Sequence, residues 1–371
     1  MKISIIGGGP AGLYFASAIK GLNPAYDVSI YEIRNESVNS FGLGYTLQKL
    51  GTDLLELIDP HYFEGLFSVE STPLITKALF RTHNQSKRTD FSEGYSVTRT
   101  NLMRYLRENA LSKGVTITEQ KITPNRLNQL QVASDLLIGA DGINSAVRKH
   151  YSGKLKTKVK TAKLKFSWFI NEAPQVKTEA CFYAFQADEG VVMLTSYPLT
   201  SNKQVVIIEM TQNCLNKGKF KGKTPKQAVP YLNKILSSNG GLVDLQSANL
   251  PWYSFKMNTA ENLHYNNVAL LGDSAYSFHY SAGQGVTMAF TMAYTLAHCL
   301  HKNADIKSGL NHYNQTVQLY MKKPLDVSFS VIQWLENIDQ HFQSEKEGDL
   351  LRLFMQKHQF DRVEFPNTKV G

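Results

Sequence analysis

Cysteine is scarce in this chain. Three occur in 371 residues, Cys181, Cys214 and Cys299. They are odd in number, far apart and without CxxC spacing, which argues against a disulfide framework or a thiolate metal site. No metal is expected, and a reducing compartment fits. Long apolar runs are also missing. The opening Met1–Ile6 breaks at Gly7-Gly8-Gly9 with no small-residue cleavage site behind it, and no stretch approaches the length of a membrane span. The expectation is a soluble, cytoplasmic protein. Tandem repeats and low-complexity tracts are absent as well. With 42% hydrophobic and 19% charged residues, the chain has enough apolar material for two or three packed domains.

Acidic residues are outnumbered, 31 against 40 Lys and Arg, giving a formal charge of +9. The lysines cluster. Lys154, Lys156, Lys158 and Lys160 recur with period two, followed by Lys163 and Lys165, and a second group comprises Lys217, Lys219, Lys221, Lys223 and Lys226. Period two places the first set on one face of an extended segment. That face is either simply solvated, as charge runs usually are, or a landing strip for an anionic substrate handle or acidic carrier protein. Aromatics are not interleaved with the lysines as a base-stacking surface requires, so no nucleic-acid partner is expected.

Residues 2–6 form a short β-branched run that ends in glycines, residues 10–21 have helical character, and residues 27–32 read as a second strand. Together they make a βαβ unit of about 30 residues. A helix is expected over 99–112, with strands over 115–118 and 134–138. From about 155 to 212 the chain turns rich in Val, Ile, Phe, Tyr and Thr with turn signals between, an antiparallel-sheet pattern. Helical character returns at 224–238, a strand at 267–271, and helices at 285–301 and 305–345. One nucleotide-type α/β domain is therefore split by a sheet domain.

Gly7, Gly9 and Gly12 fit GxGxxG, with Pro10 and Ala11 between. Gly7 permits the tight turn, Gly9 lets the backbone approach a pyrophosphate, and Gly12 allows close helix–strand packing. The helix start offers N–H groups and a positive dipole end to phosphates. Glu32 follows 20 residues after Gly12, where a carboxylate accepts hydrogen bonds from an adenosine ribose. This pattern alone does not choose between FAD and NAD.

Two further segments do. Residues 135–148 read Asp-Leu-Leu-Ile-Gly-Ala-Asp-Gly-Ile-Asn-Ser-Ala-Val-Arg, and residues 268–285 read Val-Ala-Leu-Leu-Gly-Asp-Ser-Ala-Tyr-Ser-Phe-His-Tyr-Ser-Ala-Gly-Gln-Gly. The first resembles the GADGxxSxVR segment and the second the GD segment of class A flavoprotein monooxygenases of the para-hydroxybenzoate hydroxylase type. Order and spacing match over roughly residues 1–340. The resemblance implies an α/β fold in which a Rossmann-like FAD-binding domain of GR2 type is split by a β-sheet substrate domain and followed by a helical segment. The expected divisions are 1–153, with a small insertion around 50–98, then 154–262 as the substrate sheet, 263–300 as the second part of the FAD domain, and 301–371 as C-terminal helices.

The resemblance also assigns roles. Asp273 is placed on the ribityl hydroxyls, where it can cap the following helix as well. Gly283, Gln284 and Gly285 bring N–H groups to the flavin's pyrimidine edge, where negative charge develops on reduction. Asp141 shapes a turn. Arg99, matching the RxxLxxxL arginine, is expected near the pyrophosphate. Arg34 is matched less closely, since Ile33 separates it from the carboxylate. Gly42 and Gly44 resemble the family's glycine-rich approach to the flavin.

Activity follows by the same resemblance. FAD is the cofactor and NAD(P)H a transient co-substrate, without a second GxGxxG to hold it. Reduced flavin and O2 give a C4a-hydroperoxide that hydroxylates an electron-rich ring. Here the chain departs from the common proline-containing GDAAHxxPPxxGxG. Its Ser277-Phe278-His279-Tyr280-Ser281, with the opening GGGPAGLYFA and Gly-Leu-Gly-Tyr, resembles the branch of the violacein-pathway tryptophan hydroxylase and the anthraniloyl- and salicylyl-coenzyme A hydroxylases. An indole- or tryptophan-like, coenzyme A-linked or carrier-linked aromatic substrate is implied, for a monomer or homodimer. His279 is a candidate catalytic group, with a hydrogen-bonded loop residue as the alternative. Tyr45, Phe182, Tyr183, Tyr197 and Trp252 are candidate wall aromatics, ordinary core packing being the alternative. Rival readings are another enzyme on this fold, an antibiotic-inactivating monooxygenase or flavin-dependent reductase, or a non-catalytic flavoprotein that docks a partner.

Overall fold

A computed structural model describes residues 1–33, 43–67, 74–82, 85–172, 178–239, 244–344 and 347–358. Two sheets organise the chain. The first has six strands in the order β14-β15-β7-β1-β2-β6: β1 (Lys2–Ile6), β2 (Asp27–Glu32), β6 (Thr116–Glu119), β7 (Leu136–Gly139), β14 (His264–Tyr265) and β15 (Val268–Leu270). All pairings are parallel except β14 with β15. Ile3, Ile5, Leu136, Leu137, Ile138, Val268 and Leu270 are fully buried, as expected of parallel strands covered on both faces. Helix α1 (Pro10–Leu22) lies over this sheet and packs on α10 (Gly285–Lys302), where the Tyr14 and Phe290 rings stack at 4.7 Å. Helices α4 (Arg99–Ser112), α5 (Pro124–Ala133), α6 (Ala146–His150) and α7 (Ser152–Leu155) complete the cover.

The second sheet has nine strands. Its order is β12-β8-β11-β10-β9-β4-β5-β3, with β13 also paired to β8. The strands are β3 (Gly44–Gln48), β4 (Leu74–Arg81), β5 (Ser86–Thr98), β8 (Thr157–Glu172), β9 (Glu179–Ala187), β10 (Gly190–Thr200), β11 (Lys203–Thr211), β12 (Leu245–Ser247) and β13 (Tyr253–Ala260). The segment around 50–98 was expected as a small insertion in the first domain. Strands β4 and β5 of that segment, with β3 just before it, instead extend the second sheet, because β4 continues its ladder in parallel with β9. Helices α2 (Lys49–Ile58) and α3 (Tyr62–Phe67) from that segment pack with the first domain's core.

Each face of the second sheet has its own core. One is covered by α9 (Pro225–Ser238), whose start carries a reciprocal Thr224–Gln227 cap, and by the short α8 (Gln212–Leu215). The other receives the distal half of α11 (Ile306–Glu336), then α12 (Ile338–Ser344) and α13 (Glu347–His358). This second core also meets Leu43, Tyr197 and Tyr280, which come from the junction with the first domain. Among the described residues no helix is long and apolar enough to cross a membrane.

Candidate functional site: a flavin cleft between the sheets

The early glycines are fixed by contact. Gly7 has φ +107°, and a Cβ there would lie 2.3 Å from the Ala140 carbonyl oxygen; one on Gly12 would lie 2.1 Å from the oxygen of Gly7. No side chain fits either place. Gly9 differs, since its Cβ would meet nothing within 4 Å. The turn is thus tight underneath and open above. Helix α1 begins there with Gly9 as N-cap and Pro10 in its first turn, without a side-chain cap or an acidic residue. Its free N–H groups and dipole suit a diphosphate. Ala11 is buried beneath. Glu32, at the end of β2, accepts from the Gly8 N–H at 2.6 Å and the Ile33 N–H at 2.7 Å, so the carboxylate already sits against the turn.

The later Gly-Asp loop is brought to the same place. Gly272 has φ +59°, and a Cβ there would lie 3.0 Å from that of Ala11 and 3.5 Å from that of Ala289. Asp273 therefore follows directly beside the start of α1. Its carboxyl is open to the cleft, yet protein crowds the cleft from every other side. That crowding pushes its pKa up to about 6, while Arg99 and Arg148 pull the other way.

Two residues that the sequence reading did not single out hold the loops together. Arg148, 2% exposed, donates to the carbonyls of Ser274 (3.0 Å) and Ile143 (2.8 Å). The Asn258 amide donates to those of Asp273 (2.8 Å) and Ile143 (2.9 Å). Arg148 ends the quoted GADG segment and was within reach of inspection. Asn258, on β13, carries no local signal. Asp141 accepts from Ser145 Oγ (2.5 Å) and the N–H groups of Ala146 (2.6 Å) and Val147 (3.2 Å), so it caps α6 and shapes the turn. Burial raises its pKa.

Arg99 opens α4 under the Thr98 cap, its backbone N–H donating to the Leu43 carbonyl at 3.0 Å. Its guanidinium hydrogen-bonds the Tyr45 hydroxyl and lies 5.7 Å from that ring's centroid. Tyr45 thereby steadies an arginine whose charge reaches Asp273. Gly44 is a close approach, since its Cβ would fall 2.3 Å from Leu199 Cδ1, and its carbonyl accepts from the Tyr197 hydroxyl at 3.0 Å. Arg34 and Gly42 lie outside the described residues.

After Asp273 the chain passes His279, turns through Gly283 (φ +62°) and enters α10 with Gln284 as N-cap. A Cβ on Gly283 or Gly285 would meet nothing within 4 Å. Like α1, α10 starts without a side-chain cap or an acidic residue in its first turn. His279 is buried, between Ser281 and Glu209. Of the candidate wall aromatics, Tyr197 joins the flavin-side core, and burial raises its phenol pKa. Tyr183 does not join it. Strand alternation turns it to the α9 face, where Arg81 lies 6.0 Å from its ring centroid. Trp252 belongs to that face too, donating to the Lys223 carbonyl at 3.0 Å. Phe182 faces the other core but stacks on Phe80 (4.9 Å) under Phe354. The rings beside the glycine loop are Phe166, Trp168, Tyr253 and Tyr280, with Phe166 5.0 Å from Tyr280 and 5.1 Å from Trp168.

These residues fit FAD. Open glycine backbone at Gly9, Gly283 and Gly285 provides room for a large flat ligand. Two uncapped helix starts would serve its anionic parts, and Asp273 would offer a carboxylate acceptor to its hydroxyls.

Comparison with known proteins agrees. The FAD binding domain family model matches residues 81–326, about two thirds of the chain. A salicyloyl-CoA 5-hydroxylase of Streptomyces sp is 26% identical over 299 residues, covering 78% of this chain; the chain spans only 56% of that relative's length. A protodeoxyviolaceinate monooxygenase of Chromobacterium violaceum is also 26% identical over 299 residues, covering 78% of this chain and 76% of that one. Among solved structures, P. aeruginosa PqsL in complex with 2-aminobenzoylacetate aligns with TM-score 0.72 at 15% identity, covering 92% of this chain and 98% of that one. A 2-methyl-3-hydroxypyridine-5-carboxylic acid oxygenase aligns with TM-score 0.70 at 18% identity, covering 92% and 93%. The structural matches speak to fold, the sequence matches to family. The chain belongs to the FAD binding domain family, and its cofactor is FAD.

Proposed function

We propose that this protein hydroxylates an aromatic ring presented as a thioester, consuming NAD(P)H and O2. The observation that carries the reading is the juxtaposition of the glycine loop 283–285 with the aromatic cluster of Phe166, Trp168, Tyr253 and Tyr280. When bound, FAD supplies the redox and oxygen-activating chemistry. The chain supplies the rest. The Gly7–Gly12 turn and the start of α1 receive the diphosphate, and Asp273 accepts from hydroxyls. The start of α10, without a side-chain cap or an acidic residue in its first turn, would offer N–H groups and a positive dipole end to negative charge on the bound ring. Tyr197, Tyr253 and Tyr280 are half-buried and form the apolar wall against which the substrate ring packs and from which water is excluded.

The thioester part rests on the names of two relatives and on the lysines. One relative is salicyloyl-CoA 5-hydroxylase; another, from Streptosporangium sibiricum, is 3-hydroxy-4-methyl-anthranilyl-[aryl-carrier protein] 5-monooxygenase, 22% identical to this chain. Lys158 and Lys160 are exposed on β8. On the adjacent β13, Lys256 reaches Asn144, beside the Ile143 carbonyl that anchors the Gly-Asp loop. Lys156 and Lys158 share one carboxylate, Glu261, at 3.8 and 3.2 Å, leaving net positive charge for a phosphate-bearing handle.

The test is substrate-stimulated NAD(P)H oxidation by the FAD-loaded protein with salicyloyl-CoA, anthraniloyl-CoA, the free acids and indole, with product mass as the second readout. Faster oxidation and a gain of one oxygen with the thioesters support the proposal. Equal rates with the free acids remove the thioester clause, and no stimulation by any compound removes the activity.

A further inference from the structure

A carboxylate is buried where the strand pattern calls for an apolar side chain. On β11, Val205 and Ile207 face the flavin-side core, and Glu209 shares that face, in register between Phe166 of β8 and Met193 of β10. Its side chain is 5% exposed. Such a placement is unfavourable without a partner. The partner is His279, whose side chain is fully buried and whose Nε2 lies 3.1 Å from Glu209 Oε1. The other ring nitrogen, Nδ1, is 2.8 Å from Ser281 Oγ, and the His279 backbone N–H donates to Ser328 Oγ of α11 at 2.9 Å. Phe255 and Tyr280 pack on the imidazole at 5.0 and 4.3 Å. Nothing in this arrangement opens the imidazole to a substrate, which sets aside His279 as a direct proton acceptor.

The position of the chain of contacts points to a different role. Ser281 is two residues before Gly283, so the anchored stretch is the one that carries the open glycines into α10. Glu209 belongs to the substrate sheet. Tyr280, between His279 and Ser281, is also part of the aromatic wall, and its phenol pKa is raised by burial and by the neighbouring Glu209 carboxylate.

We propose that Glu209 is a positioning residue for the flavin loop. Its carboxylate requires a hydrogen on His279 Nε2, which turns Nδ1 toward the Ser281 hydroxyl. The Glu209–His279–Ser281 chain then ties residues 279–285 to β11. Orienting an imidazole through its far nitrogen is a role that buried carboxylates serve in other sites. The inference rests on the FAD reading only for its consequence; the tautomer belongs to the protein alone.

The experiment uses protein labelled with 15N-histidine, with and without FAD, as wild type, Glu209→Gln and Glu209→Leu. In the wild type, long-range 1H–15N correlations are expected to show His279 with Nε2 protonated. Glutamine can rotate its amide to donate as well as accept, so Glu209→Gln is expected to give a mixture of tautomers while its thermal midpoint stays near wild type. Fluorescence titration with FAD is expected to show binding weakened by about tenfold in Glu209→Leu and by less than about threefold in Glu209→Gln. An unprotonated Nε2 in the wild type overturns the proposal. So does an unaltered His279 pattern in both variants, or undiminished FAD affinity in a folded Glu209→Leu. Should that variant not fold, the Glu209→Gln tautomer result decides alone. A wild-type protein that binds no FAD refutes the cofactor reading and leaves the tautomer measurement intact, which separates the two failures.

Discussion

Replacing Asp273 by Asn should have opposite effects on the FAD-free and FAD-bound protein. Burial pushes the Asp273 carboxyl up to about 6, from an ordinary carboxyl value of 3.8. A carboxyl raised on folding stabilises the fold below its unfolded value, and that contribution is lost as pH rises through the folded one. The ionised group therefore weighs against the FAD-free fold above about pH 6. Taken whole, a rise of this size corresponds to about 3 kcal/mol at neutral pH. The carboxyl is open to cleft water, which screens much of that, so about 1 kcal/mol is the expected gain for Asp273→Asn. In a chain of this length that is a thermal midpoint about 1–2 °C higher. The gain should be present at about pH 7.5 and vanish at about pH 4. FAD affinity moves the other way. Losing the charged acceptor costs about 1.5–3 kcal/mol, roughly tenfold to a hundredfold in Kd. Melts of the stripped protein at the two pH values, with fluorescence titration of FAD, measure both arms. An Asp273→Asn variant less stable than wild type at neutral pH, or equally favoured at both pH values, would refute the reasoning.

Other expectations are as specific. Gly9→Ala should keep the wild-type melting temperature and lose FAD, because its Cβ enters open space, whereas Gly12→Ala should lose about 3 kcal/mol or fail to fold, because its Cβ would lie 2.1 Å from the Gly7 oxygen. Purified yield, circular dichroism and the flavin absorbance separate the two. Arg148→Met leaves the buried carbonyl of Ser274 without its donor and removes one of the two donors at Ile143, where Asn258 remains, and should cost about 1–3 kcal/mol in denaturant unfolding, with FAD content falling in step. Replacing Lys158, Lys160 and Lys256 by Gln should raise KM for a coenzyme A thioester and flatten its salt dependence while leaving FAD affinity alone; an unchanged KM assigns those lysines to plain surface.

The parts of this fold that were legible in the sequence are those written locally. The apolar run of β1, the glycines behind it and the helical run after them need only their own neighbours, and the structure has a strand at Lys2–Ile6 and a helix at Pro10–Leu22. The same holds for α11, since its periodic pattern is long. What failed to show involved parity and distance. Choosing Tyr183 as a wall residue required knowing which face of β9 meets the flavin domain, and one step along a strand reverses the answer. Phe166 and Trp168 were equally aromatic, and only the pairing of β8 with β11 and β13 puts them beside residue 280. The bonds from Asn258 to the carbonyls of Ile143 and Asp273 join three separate stretches of chain.

Glu209 is the instructive case, because a signal was present. In Gln204-Val205-Val206-Ile207-Ile208-Glu209-Met210, consecutive apolar residues without alternation mark a strand buried on both faces. A single acid inside such a run has no solvent to turn to, so it must meet a donor from another element. The candidates able to satisfy it were few, and His279 stood in the loop already assigned to the flavin. Natural sequences break a local rule mostly where a site or a strained contact needs it. Applied to a strand, that principle converts an ill-fitting charge into a distance constraint between two domains. Here the constraint is the 3.1 Å contact that joins β11 of the second sheet to the loop leading into α10.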